Sequence, residues 1–226
     1  MRAALYFTCP KDDPLTRAAV DWLGRDAWRG LDANAAAGAG PESVVREPRR
    51  YGFHATLKPP FRLADGKSVE ALRAAVAAFA AGRPALTIAS LDLARIGAFF
   101  ALVPGGEAPG LDALAGAVVT AFEPFRAPPT EAEIARRGPD RLTPRQREHL
   151  EAWGYPYVFD EFRFHMTLTG RVPAEDHDAV EAALRTRFAP FIGRPLAVDT
   201  LCLFVEPDPP GDFVVDMAVR LAGAAA

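Results

Sequence analysis

Lysine is almost missing from this 226-residue chain: Lys11, Lys58 and Lys67 are its only representatives among 26 basic residues. Cysteine is scarcer still. Cys9 and Cys202 stand far apart and in no metal-ligand spacing, so they are expected to be two buried thiols rather than a disulfide framework. Neither sign of charge dominates. A formal net charge of −3 sets up no global basic field to collect nucleic acid, so any phosphate must be met by a local patch. Long apolar runs are missing as well. The opening MRAALYFTCPKDDP holds about five consecutive apolar residues, too few for the core of a secretory signal. Nothing later approaches the roughly 18 residues of a membrane span. The expected location is the cytoplasm.

What remains is an ordinary globular composition, 50% apolar and 24% charged, on a chain long enough for one large domain or two small lobes. RAALYFT (2–8) reads as a first strand, and DPLTRAAVDWLGRDAWRG (13–30) as a helix with Gly30 as its stop. Residues 31–50, LDANAAAGAGPESVVREPRR, read as a mobile connection rich in Gly, Ala and Pro. A strand through YGFHATLKPPFRL follows, then a helix closing at Gly82, strands in ALTIASLDL and GAFFALVP, and a helix over about 109–125. Residues 126–160 break the pattern: they are basic and proline-rich, with room for one or two short helices. The strand FRFHMTLTG, a helix over about 174–190 and strands near 196–206 and 213–222 complete the chain.

One pentapeptide occurs twice, as FHATL at 53–57 and FHMTL at 164–168. His54 and His165 are 111 positions apart, and Gly82-Arg83-Pro84 recurs at the same offset as Gly193-Arg194-Pro195. Val69-Glu70-Ala71 likewise recurs as Val180-Glu181-Ala182. A histidine strand, the helix after it and the helix stop were therefore copied as one unit. Each copy is preceded by a strand and a helix and followed by two strands. The natural architecture is a pair of α+β lobes related by a pseudo-twofold axis, since each small sheet needs a partner to cover one face. Residues 1–226 are expected to form a single bilobal domain, with about 126–160 as an insertion that the first half lacks.

Side chains alternate between the faces of a strand. Phe53, Ala55 and Leu57 share an apolar face, leaving His54, Thr56 and Lys58 opposite. In the second copy Phe164, Met166 and Leu168 are apolar, and Arg163, His165, Thr167 and Thr169 lie opposite. Two imidazoles facing one cleft suit in-line displacement at phosphorus, which needs a base on the attacking oxygen and an acid on the leaving one. Thr56 and Thr167 can donate O–H bonds to the non-bridging oxygens as charge develops there.

The complete motifs His54-Ala55-Thr56 and His165-Met166-Thr167 resemble those of the 2H phosphoesterases, named for two His-x-Thr/Ser motifs in a bilobal LigT-like fold. YGFHATLKPPF is further similar to a branch of that family linked to phosphonate metabolism and of unknown function. The resemblance covers nearly the whole chain. It implies two pseudo-twofold-related lobes, each with an antiparallel sheet and flanking helices. It also implies metal-independent opening of a cyclic phosphodiester, either a nucleoside 2′,3′-cyclic phosphate or a cyclic phosphoribosyl intermediate. No cofactor and no metal are expected. The expected partner is a small cyclic phosphate, with RNA termini as a further candidate; no membrane contact and a monomer are expected.

Around this core Lys58 and Arg163 are candidate phosphate contacts, and Tyr51 and Tyr6 candidate cleft walls. The insertion carries Arg136, Arg137, Arg141, Arg145, Arg147, Trp153 and Tyr155, a candidate lid that grips phosphates or stacks a base. His149 and His177 read as surface residues on helices. Two competing readings stand beside the phosphodiesterase. A metal hydrolase would need a third ligand, and neither motif carries a carboxylate at a suitable spacing. A binding module for RNA ends or nucleotides would hold the same ligands without turnover.

Overall fold

The computed structural model describes residues 1–28 and 40–222. Its strands are β1 (Arg2–Phe7), β2 (Ala55–Phe61), β3 (Leu86–Ile88), β4 (Leu91–Ile96), β5 (Phe99–Pro104), β6 (Met166–Thr167), β7 (Leu196–Val198), β8 (Thr200–Glu206) and β9 (Val214–Arg220). Its helices are α1 (Pro14–Leu23), α2 (Glu42–Arg49), α3 (Val69–Ala81), α4 (Leu111–Ala121), α5 (Glu131–Ala135), α6 (Pro144–Trp153) and α7 (His177–Phe188).

Seven strands form one antiparallel sheet in the order β4-β5-β6-β2-β1-β8-β9, and β3 pairs with β7 in a small second sheet. The seam of the large sheet is narrow. β2 and β6 meet at one residue pair, Ala55 with Met166. These are the central residues of the two pentapeptides, so the pseudo-twofold axis passes between them. Outward from the seam the order is β5 then β4 on one side and β1 then β8 on the other, with β9 added at the far edge. The α+β class and the paired lobes are thus as the repeat requires.

The lobes do not coincide with the halves of the chain. β4 and β5, which follow the first copied helix, pair through β5 with β6 of the second half. β8 and β9, which follow the second, pair through β8 with β1. Each stretch expected as one strand after a copied helix is in fact two. ALTIASLDL divides into β3 and β4 and the stretch from 196 into β7 and β8, because the chain crosses from the small sheet to the large one.

Helix ends follow their local chemistry. Asp13 caps α1 by accepting from the Leu15 N–H, and Gly24, at φ 74°, ends it well before the expected stop at Gly30. Residues 29–39, including Gly30 and the first nine residues of the expected connection, lie outside the described residues. The remainder of that connection holds α2, whose Val44 and Val45 are buried; a short helix that starts after Pro41 and contains Pro48 escapes the periodicity test. In the insertion, Thr130 with Glu133 and Thr143 with Gln146 form reciprocal capping boxes that start α5 and α6.

The main core lies between the sheet and α1, α2, α3, α4 and α7, with Leu5, Phe7, Ala55, Leu57, Leu102 and Met166 contributed by strands. Ala4, Tyr6, Cys202, Phe204 and Phe213 form a smaller cluster on the other face of β1 and β8. Cys9 and Cys202 are buried free thiols, as expected. No helix among the described residues is long and apolar enough to cross a membrane.

Candidate active site

Phe53, Ala55, Leu57, Phe164, Met166 and Leu168 are all buried in the main core, so the alternation turns His54, Thr56, His165 and Thr167 to the opposite face. The Ala55–Met166 register, continued by one residue each way, sets His54 against Thr167 and Thr56 against His165. Each imidazole thus has the other strand's hydroxyl as its cross-strand neighbour, and the two histidines lie on a diagonal. The flanking backbone is clamped. The Thr8 hydroxyl donates to the Phe53 carbonyl at 2.7 Å. Beyond the second motif, Trp22 Nε1 donates to the Leu168 carbonyl at 2.9 Å and the Gly170 N–H to the Val44 carbonyl at 2.6 Å.

Both rings are oriented in the same way. His54 Nδ1 lies 2.9 Å from the Gly52 carbonyl, and His165 Nδ1 lies 2.8 Å from the Arg163 carbonyl. In each case the acceptor is two residues upstream, at positions related by the repeat offset. An Nδ1–H donated to a carbonyl leaves Nε2 as the reactive nitrogen. Thr56 Oγ1 sits 3.2 Å from His54 Nε2 and supplies its hydrogen to that lone pair. Gly52 reaches this geometry at φ 72°, and a Cβ built there would stand 2.6 Å from the Ala27 Cβ, so only glycine fits.

The surroundings of the rings differ. His54 stacks on Tyr6 at 3.9 Å between centroids, with Phe204 at 6.1 Å, whereas His165 meets Phe99 at 5.7 Å in a tilted contact. Burial lowers the His54 pKa to about 4, the Gly52 carbonyl opposes the shift, and positive charge on His165 adds to it. His54 is therefore held neutral.

A cleft of about 550 Å³ opens on this face, lined by three of the four motif residues; His165 is not on its wall. His54, Thr56 and Thr167 lie on its wall with Tyr6, Tyr51, Phe99 and Arg2, and the insertion adds Arg137 and Tyr155. The Arg137 guanidinium lies 4.8 Å from the Tyr155 ring centroid. A second depression of about 670 Å³ adjoins the first and shares Arg2, Glu47, Tyr51, Pro60 and Arg137 with it. Among the described residues no group of three or more His, Cys, Asp or Glu side chains is placed to hold a metal ion.

Tyr6 and Tyr51 line the cleft; Lys58 does not. It is 1% exposed, and its Nζ donates to the Val119 carbonyl at 3.1 Å and to Glu123 Oε2 at 2.8 Å under α4. The cause is a β-bulge. Tyr6 pairs with Thr56 but Leu5 pairs with Lys58, so one extra residue of β2 reverses the alternation and sends Lys58 to the core face with Leu5. Arg163 is exposed and absent from the cleft wall; its contribution to the site is its carbonyl. In the insertion, Arg145 pairs with Asp160 and Glu148, Arg147 donates to the Leu142 carbonyl, and Trp153 packs edge-on against Phe159. Arg136 lines the adjoining depression. His149 is 4% exposed and bonds Asp160 at 2.7 Å, so it is no surface residue. His177 is half-buried against the Val172 carbonyl at 3.1 Å.

Sequence reasoning missed Phe99, Arg2 and Glu206. Arg2 was within reach of parity, standing four residues before Tyr6 on the same face of β1. Glu206 was not: it is buried at the end of β8 and binds both Arg2 and Arg50, which lie far apart in sequence. Those arginines and the Gly211 N–H hold its carboxyl down to about 2 against the opposing effect of burial.

Residues 56–214 match DUF1045, a protein family of unknown function. The chain is also similar to the ribose 1,5-bisphosphate phosphokinase PhnN of Janthinobacterium sp. (strain Marseille), 36% identical over 242 residues, 98% of this chain and 51% of that protein. The protein of the same name from Laribacter hongkongensis (strain HLHK9) is 35% identical over 210 residues, 92% of this chain and 49% of that protein. The chain thus spans about half the length of the curated relatives it matches. Among solved structures, TT0787 of Thermus thermophilus superposes with a TM-score of 0.50 at 17% identity, covering 100% of both chains. E. coli LigT complexed with NADP+ aligns over 97% of this chain and 96% of its own, with a TM-score of 0.46 at 14% identity. At such identities the likeness is one of fold.

Proposed function

The chain belongs to the DUF1045 family and has a LigT-like 2H phosphoesterase fold, and from that premise we propose that it is a metal-independent phosphodiesterase opening a small cyclic phosphodiester. One observation carries the reading. Two His-x-Thr motifs meet where β2 pairs with β6, both rings are tethered alike at Nδ1, and His54, Thr56 and Thr167 line one cleft with His165 near enough to His54 to depress its pKa.

In the proposed step His54, kept neutral, takes the proton of the attacking water at Nε2. The water oxygen bonds to phosphorus as the ring P–O bond breaks on the opposite side. His165, entering as imidazolium, delivers its Nε2 proton to the departing sugar oxygen. With substrate bound, the Thr56 hydroxyl turns from His54 Nε2, freeing that lone pair for the water, and with Thr167 it bonds the non-bridging oxygens, whose charge grows in the transition state. The depressed His54 pKa suits the base, which leaves the role of acid to His165. The name of the curated relatives refers to ribose 1,5-bisphosphate. Opening a cyclic phosphoribosyl ester would release a sugar phosphate of that kind, which supports a place in phosphonate metabolism and puts this substrate beside 2′,3′-cyclic nucleotides.

The test is turnover of a panel of nucleoside 2′,3′-cyclic phosphates and phosphoribosyl cyclic phosphate, with and without EDTA. Activity is expected to survive chelation. His54→Ala and His165→Ala should each lower kcat/KM by roughly two to four orders of magnitude. Full activity in either single variant would overturn the acid–base pair, and tight binding without turnover would replace the enzyme with a binding module.

A further inference from the structure

The adjoining depression is strongly biased in its charge. Arg2, Arg50, Arg62, Arg126, Arg136 and Arg137 line it, against only Glu47 and Glu133. Several of these guanidinium groups are compensated. Arg2 and Arg50 share the single buried carboxylate of Glu206, Arg62 pairs with Glu133, and Arg126 pairs with Glu123. With Glu206 and Glu123 counted, the walls still carry a surplus of at least two positive charges, on a protein whose net charge is −3. Arg136 and Arg137 are exposed and form none of the ion pairs found among the described residues; the contact of Arg137 is with the Tyr155 ring.

Size points the same way. The histidine cleft alone, at about 550 Å³, already falls within the range that encloses a mononucleotide-sized ligand. The second depression is therefore surplus to a simple cyclic phosphodiester, yet Arg2, Tyr51 and Arg137 form a wall common to both. Arginine forks match phosphate oxygens in bidentate geometry, and a phosphomonoester carries about −1.5 to −2 charge at neutral pH, close to the surplus on the walls.

We infer that this arginine-lined annex binds a phosphomonoester on the same molecule whose cyclic phosphodiester is opened at the histidines. The substrate is then a sugar cyclic phosphate bearing a second, terminal phosphate. The inference rests on the phosphodiesterase reading, which it narrows. Arg136 touches the annex alone, and Arg137 stands where the two spaces join.

Two measurements on the whole chain separate the claims. The first compares kcat/KM for adenosine 2′,3′-cyclic phosphate with and without a 5′-phosphate. The phosphorylated form is expected to be favoured by about 10-fold or more, chiefly through KM and with a steeper fall at high salt. Arg136→Gln, at an exposed position, should bring that ratio close to one. The second is calorimetric titration with ribose 5-phosphate, which needs no turnover; Arg136→Gln should weaken binding by about 10-fold. Turnover of both nucleotides at equal rates would overturn the annex and leave the phosphodiesterase standing. Ribose 5-phosphate binding that depends on Arg136, with no turnover of any cyclic phosphate, would uphold the annex and remove the phosphodiesterase. Equal ribose 5-phosphate binding in both proteins would overturn the annex. A cyclic phosphate at an oligonucleotide end that outpaces both mononucleotides would do the same in favour of RNA.

Discussion

Replacing Lys58 with methionine separates the role its sequence suggests from the one its position gives. The ammonium is enclosed in the core, and burial lowers its pKa while Glu123 opposes the shift. Removing one partner of a buried ion pair usually costs about 3–5 kcal/mol, because the other charge is left alone. Here it is not left alone, since Glu123 keeps both Oε1 contacts with Arg126, at 2.9 and 2.5 Å. The losses are the bond to the Val119 carbonyl, about 1–3 kcal/mol if that oxygen stays unpaired, and the contact over the Phe61 ring, about 0.5–1 kcal/mol. Methionine keeps most of the stem and removes the cost of burying an ammonium. Lys58→Met should therefore destabilise by about 1–2 kcal/mol, lowering Tm by about 2–8 °C in a domain of this size. Lys58→Ala should cost about 2 kcal/mol more for the buried methylenes lost. Both are read by urea and thermal unfolding, with steady-state kinetics on a cyclic nucleotide measured in parallel. Per folded molecule, kcat/KM should stay within about twofold of the parent. A Lys58→Met protein of unchanged stability whose KM rises tenfold would put the ammonium in the cleft and refute the bulge argument.

Three other outcomes are expected. The acidic limb of the kcat/KM profile should fall as pH drops through about 4, where His54 gains a proton and ceases to act as base; a limb near 6.5 would show that burial does not control it. Gly52→Ala forces φ 72° on a residue with a Cβ and drives that atom into Ala27, costing about 1–2 kcal/mol for the backbone alone. Because its carbonyl orients His54, kcat should fall more than KM rises, and unchanged kinetics would dismiss the tether. Glu206 has a folded pKa near 2, below its unfolded value of about 4.5, so the unfolded chain binds more protons in acid. It therefore stabilises at neutral pH by up to about 3 kcal/mol, an increment lost as pH falls from about 4.5 through 2. Glu206→Gln should abolish that acid dependence in pH-dependent unfolding curves.

The site was legible in outline because duplication writes spatial symmetry as a constant offset. His54 and His165 were found from that offset, and the buried partners Ala55 and Met166 from simple alternation. What stayed hidden has particular causes. The bulge at Leu57 adds one residue to β2 and leaves no compositional mark, so alternation placed Lys58 on the wrong face. α2 is an eight-residue helix with a proline at its N-cap and another inside it, in a stretch that composition reads as a connection. His149 became a core residue because Asp160, brought near by the turn after α6, gives its ring a partner. The breaks between β3 and β4 and between β7 and β8 mark a change of sheet, which local pattern does not encode.

The crossing of β4–β5 and β8–β9 between lobes bears on how such a protein comes into being. A chain carrying one copy of the unit would leave the strand it was built to donate without a receiver, and the strand it needs to receive would be supplied by nothing. Two such chains trading segments reciprocally would satisfy each other, each lending one imidazole to a shared centre, as in a swapped dimer. Joining them end to end makes that trade internal. Severing the present chain between β5 and α4 should accordingly yield fragments that are insoluble apart and restore one another when mixed.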